Sequence, residues 1–154
     1  MLSNIAIGAI LIFFTTAVHA GGMHLALRSI RLQVTSVGSR LHLNRVLRVG
    51  RVVLIMYFVA IVEVLIWGAA YLVFGSVEGI EKAIYFSAVT FTTLGYGDVV
   101  LDGSRRLLSA IEAVNGIIMF GWSTAIVIAV VQRVYARQET DRHGRHEQGA
   151  WREI

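Results

Sequence analysis

Thr92-Thr93-Leu94-Gly95-Tyr96-Gly97-Asp98 lies between two long apolar runs and directly follows a short amphipathic stretch, Glu81 to Thr92. That stretch is too brief to cross a hydrocarbon core about 30 Å thick, and too apolar to be a free loop. Between two spans, such a segment predicts a re-entrant element, with non-helical backbone at membrane depth sheltered by protein or water. The preceding run, Val52 to Phe74, has Glu63 as its one charge, and the following run, Leu107 to Val131, has Glu112. Both can span with some tilt. Farther out, Leu2 to Ala20 is a third apolar run, near the minimum for crossing, which Gly21 and Gly22 are expected to end.

Composition points the same way. Of 154 residues, 56% are hydrophobic and only 16% charged, leaving long uncharged stretches that a water-soluble surface could not use. This disfavours a soluble enzyme. The net charge of +4 arises from arginines flanking the apolar runs, where membrane orientation explains them better than nucleic acid does, so no nucleic-acid partner is expected. With no cysteine there is no disulfide framework, thiolate metal site or Cys nucleophile, and with no proline any kink must come from glycine.

The connector at 25–51 carries Arg28, Arg31, Arg40, Arg45, Arg48 and Arg51 and no acidic residue, which predicts the cytoplasmic side. The amino terminus and the 75–106 segment then lie outside, and the tail from Arg133 returns to the cytoplasm. Val18-His19-Ala20 before Gly21 also resembles a signal-peptide cleavage site. No Lys or Arg precedes that run, however, and cleavage would carry the arginines across the membrane. Arg45, Arg48 and Arg51 have the spacing of a voltage sensor, but the one preceding span offers no carboxylate to partner them. An interfacial segment touching membrane lipids, anionic ones included, is the expectation.

In this frame, Thr93-Leu94-Gly95-Tyr96-Gly97-Asp98 resembles the signature of the potassium-channel pore-domain superfamily, T-V-G-Y-G often followed by Asp, with Leu94 in place of Val. The resemblance covers about residues 52–135. It implies an all-α integral membrane fold: an outer helix at 52–74, a pore helix at 80–92, a filter at 93–97 and an inner helix at 107–135. One additional transmembrane helix at 1–24 precedes this unit, and a cytoplasmic tail at 136–154 follows. One chain supplies a quarter of a filter ring and has no internal repeat, so a homotetramer is implied.

A conducting filter must replace the water stripped from a cation, and rings of backbone carbonyls can do so. For successive carbonyls to face one axis the chain must alternate between ordinary and left-handed dihedrals, which Gly95 and Gly97 adopt without a Cβ penalty. The resemblance implies potassium sites at the carbonyls of Thr93, Leu94, Gly95 and Tyr96 and the Thr93 hydroxyl, with Leu94 and Tyr96 packed behind. Potassium is the permeant ion; no cofactor and no catalytic residue are expected. Thr92, Asp98 and Glu112 are candidates for filter support and the outer mouth. In many relatives that aspartate meets a pore-helix tryptophan, whereas Tyr85 and Phe86 stand here, and Val89 stands where some relatives carry a glutamate. The rear bracing therefore departs from the family's pattern.

Gly116 to Gly121 resembles the hinge of the family's inner helix, although either glycine equally suits close packing. Taking Gly116 as the hinge, Ile117, Phe120, Thr124 and Ile128 would face the cavity and the inner gate. For Glu112 the expected role is a brace to the pore helix through Thr90, Thr92 or a filter amide. For Glu63 a pairing with His19 suggests itself, but counting rise from the cytoplasmic ends separates the two by roughly 5 to 8 Å in depth, so Asn115 or a neighbouring chain is an equal candidate as partner. The histidines have no metal-ligand spacing, and the tail suits a short helical bundle or disorder equally.

The expected function is passive, potassium-selective conduction in a cell membrane, with a compact chain pointing to a prokaryotic inner membrane. A weakly selective cation channel and a subunit of a potassium uptake transporter are the alternatives. Transporters of that kind usually carry four degenerate loops in one chain, which a single intact Gly-Tyr-Gly does not match.

Overall fold

A computed structural model describes residues 2–31, 41–101 and 103–150. Its elements are α1 (Leu2–Arg31), α2 (Leu41–Val73), α3 (Ile80–Phe91), a 3-10 turn (Gly103–Arg105) and α4 (Arg106–Ala150), with no strand among the described residues. Three stretches are long and apolar enough to cross a membrane: Leu2–Ser29, Val46–Val73 and Arg106–Arg133, with mean hydropathies of 1.8, 2.5 and 2.0. The short α3 lies between the second and third, packed against both.

Three boundaries differ from the sequence reading. Gly21 and Gly22 do not end α1, which continues to Arg31. Between bonded peptide groups in an apolar surrounding, glycine loses much of its power to break a helix. Likewise α2 begins at Leu41, inside the basic connector, so Arg48 and Arg51 sit on α2 near the start of the apolar stretch Val46–Val73. At the other end α4 runs unbroken past 135 to Ala150, making the first part of the tail helical. Arg40 and the last residues, 151–154, lie outside the described residues. The short helix expected at 80–92 spans Ile80–Phe91.

Lipid is as apolar as a leucine side chain, so helices in a bilayer associate through close packing rather than by escaping water. A glycine stands at each of the main crossings. A Cβ on Gly8 would lie 3.0 Å from Ile111 of α4, and one on Gly22 would collide with Val59 of α2. On Gly68 it would sit 3.4 Å from the Ala83 backbone of α3, and on Gly116 it would collide with the Phe91 carbonyl. Around these contacts one apolar cluster, including Trp67, Tyr71, Phe86, Phe91, Leu108 and Met119, packs about α3. A second, with Val52, Met56, Val59, Ile126 and Val130, joins the helices toward their other ends.

Candidate functional site

The 92–100 loop takes its shape from the way α3 stops. The Leu94 amide donates to the Val89 carbonyl at 3.0 Å and the Thr93 amide to Thr90 at 2.9 Å, which is the double bond of a Schellman cap. α2 ends the same way, through Ser76 to Tyr71 and Gly75 to Leu72, with Gly75 at φ 61° in the left-handed position. In α3 that position is held by Thr93, at φ 58°, the only non-glycine with positive φ among the described residues. A β-branched residue there is a genuine outlier, held in place by its surroundings.

Beyond the cap, Gly95 has φ 57° and Gly97 φ 79°. Positive φ therefore falls at 93, 95 and 97, on every second residue. The Gly95 amide also leans back on the Val89 carbonyl, at 3.3 Å. Among the described residues nothing lies within 4 Å of a Cβ built on Gly95 or Gly97, so within this chain the dihedral angle and not space requires glycine there. The loop begins deep in the span. Phe91 abuts Gly116, which lies about 15 Å along α4 from Arg106 at 1.5 Å per residue.

Two polar braces hold this arrangement. Tyr71 on α2 donates to Glu112 Oε2 at 2.6 Å, and Ser87 on α3 lies 2.6 Å from Glu112 Oε1 and 2.8 Å from the Val64 carbonyl. Glu112 and Ser87 are fully buried, so one carboxyl ties α2, α3 and α4 together. The brace goes to the pore helix, but through Ser87 rather than Thr90, Thr92 or a filter amide. Thr92 bonds instead to the Ala88 carbonyl of its own helix, at 2.7 Å. Glu112→Gln is expected to keep the fold, since an amide accepts from Tyr71 and donates to Ser87, whose proton then serves Val64. Glu112→Ala should lose about 1–3 kcal/mol by stranding buried hydroxyls, read as a lower melting temperature in detergent.

The second brace lies at the exposed mouth. Tyr85 donates to Asp98 Oδ2 at 2.7 Å, so the phenol reaches the aspartate from one of the two positions that match the relatives' tryptophan. This bond holds the Asp98 carboxyl below its ordinary range and raises the Tyr85 phenol. With its pKa depressed in the folded protein, Asp98 contributes stability above the usual carboxylate range, lost as pH falls through its lowered value. Tyr85→Phe should move the acid sensitivity of ion flux to higher pH; an unmoved profile would disconnect this contact from the mouth.

Ile117, Phe120, Thr124 and Ile128 are all exposed on the single subunit. Phe120 meets the Phe91 ring edge-on at 5.6 Å, and the Thr124 hydroxyl bonds back to the Phe120 carbonyl. Gly116 is a packing site, pressed against Phe91, while a Cβ on Gly121 would meet nothing. His19 and Glu63 do meet, 3.0 Å apart, contrary to the depth count. That count placed the cytoplasmic ends of the helices level, but α1 runs on well past Gly22. Asn115 bonds to Thr15 instead. Tyr71, Ser87 and Thr15 escaped the sequence reading; lone hydroxyls within apolar runs were the signal available.

No match to the chain was found among curated proteins or among solved structures. Residues 59–133 match the model of a protein family described as ion channel. The matched segment starts inside α2 and ends with the apolar part of α4, so it encloses α3 and the alternating loop, and it is this segment that the ion channel family describes.

Proposed function

We propose that the protein is a homotetrameric channel that conducts potassium passively and selectively through the backbone of residues 93–97. The observation that carries this reading is the alternation of left-handed dihedrals at Thr93, Gly95 and Gly97, starting midway through the span. Such alternation turns successive carbonyls toward one side, so those of Thr93, Leu94, Gly95 and Tyr96, with the Thr93 hydroxyl, can replace the hydration shell of potassium. The carboxyl end of α3 adds its partial negative charge at the inner side of this row.

Assembly follows from what a lone subunit leaves uncovered. Irregular backbone at membrane depth requires protein or water around it, yet residues 92–98 are exposed on one chain. Leu94 and Tyr96 are 54% and 67% exposed, although both are apolar enough to need cover. Beside them, between α3 and α4, a cavity of about 630 Å³ lined by Phe86, Val89, Thr90, Val99 and Ala113 stands open to a neighbour. Four copies around an axis would close the ring, with Ile117, Phe120, Thr124 and Ile128 below it and an apolar constriction able to gate by dewetting.

The arginine pattern supports a cytoplasmic connector and tail in a cell membrane, with the connector against anionic lipid. The decisive experiment is reversal potential in mixed potassium and sodium with purified protein in bilayers. Strong preference for potassium supports the selective filter; equal permeability makes the protein a weakly selective cation channel on the same scaffold. Flux that requires a proton gradient or nucleotide would make it a transporter subunit.

A further inference from the structure

The added helix α1 is fastened to the pore unit by polar contacts buried within the span. Asn115 of α4 donates to Thr15 at 3.1 Å. One turn further along α1, His19 Nδ1 lies 3.0 Å from Glu63 Oε1 of α2, with the two side chains 1% and 0% exposed. The His19 ring also stacks against Trp122 of α4, centroids 5.8 Å apart and planes 30° apart. This histidine thus touches both flanking helices at once, next to Gly121, where α4 has open space.

Each member of the pair has a polar atom left over. His19 Nε2 and Glu63 Oε2 are buried and have no hydrogen-bond partner. Other titratable groups on the packed helices are engaged elsewhere or face outward. Glu112 of α4 is held by Tyr71 and Ser87, while Tyr57 of α2 and His24 of α1 are exposed. No Lys or Arg occurs within 2–27, 52–73 or 107–132, so no third charge balances the pair. Imidazole and carboxyl together are neutral when they hold one proton more than imidazole plus carboxylate. A further proton creates a buried imidazolium whose Nε2 has no acceptor; removing one leaves a buried carboxylate whose Oε2 has no donor. Both charged forms are unfavourable in hydrocarbon.

We propose that His19 and Glu63 form a proton-binding site inside the membrane whose charge sets whether α1 holds the inner helix at Trp122. The neutral pair keeps α1 seated on α2 and on Trp122; either charged form loosens it.

The test uses the full chain in liposomes. Tryptophan emission is titrated with pH, since an imidazolium quenches a stacked indole and separation of the rings changes its surroundings. Two steps flanking a plateau are expected, and both should vanish in Trp122→Phe. His19→Gln should keep only the alkaline step and Glu63→Gln only the acid one, because each leaves one titrating partner. A flat titration of the unaltered protein, or steps unchanged in the doubly substituted chain, overturns the proposal whether or not the single variants fold. Potassium flux in the same vesicles should differ by about tenfold between the plateau and both limbs, in the same direction on each side. Flux independent of pH beside intact emission steps overturns the coupling. Only this flux arm rests on the channel reading: no flux at any pH counts against that reading, while emission still decides the proton site.

Discussion

Gly95→Ala is expected to abolish ion flux while leaving the protein folded and assembled. Gly95 sits at φ 57°, where a Cβ costs roughly 1–2 kcal/mol against the following carbonyl. Among the described residues of one chain no atom lies within 4 Å of that Cβ, so within the subunit the substitution disturbs the dihedral and not the packing. The chain escapes by rotating φ, which turns a carbonyl out of the row, and a symmetric assembly does so in every subunit. Flux from liposomes and the elution volume of the same sample measure the two halves of this expectation. Normal flux from the variant would mean that the alternation does not conduct.

Gly116→Val should have the opposite signature, a loss of folded protein. The added atoms would overlap the Phe91 carbonyl, which belongs to the helix end that launches the loop. Backbone cannot swing aside as a flexible side chain can, and overpacking a tight contact costs about 1–3 kcal/mol or more in each subunit. Gly121→Ala is the matched control: its Cβ meets nothing, and glycine to alanine within a helix is favourable by roughly 1 kcal/mol. Thermal stability in detergent should therefore fall sharply for the first variant and hold or rise for the second. Equal stability would show that the α3 to α4 contact does not depend on a glycine.

The contrast between these glycines marks what the sequence could reveal. Gly95 and Gly97 were readable because their role is local: a dihedral requirement is written in the residue itself and in its immediate neighbours. The same locality made α3 legible to within a residue, since a short apolar stretch between two spans has few other uses. Gly22 and Gly116 serve contacts with Val59 and Phe91, residues far away in the chain, and nothing nearby distinguishes such a glycine from a helix end or a hinge.

Buried polar pairs were hidden for the same reason. Glu112 announced itself as a charge in an apolar run, but its partners Tyr71 and Ser87 come from two other helices whose rotation no periodicity fixes. The His19 and Glu63 pair could be named but not chosen among other partners, because the helix ends are not level and a count of rise misplaces the two in depth. Tyr85 was a near miss. It was read as a departure from the tryptophan of many relatives, yet its phenol reaches the Asp98 carboxylate.

The central claim is that peptide oxygens from residues 93–96, repeated around a symmetry axis, take the place of an ion's water. Anomalous diffraction from crystals grown in rubidium, a heavier stand-in for potassium, tests it most directly. The account predicts a column of peaks on a four-fold axis at the heights of Thr93, Leu94, Gly95 and Tyr96, each surrounded by their carbonyls. A subunit arrangement with no shared axis beside this loop, or an axis bearing no rubidium at those heights, would contradict it.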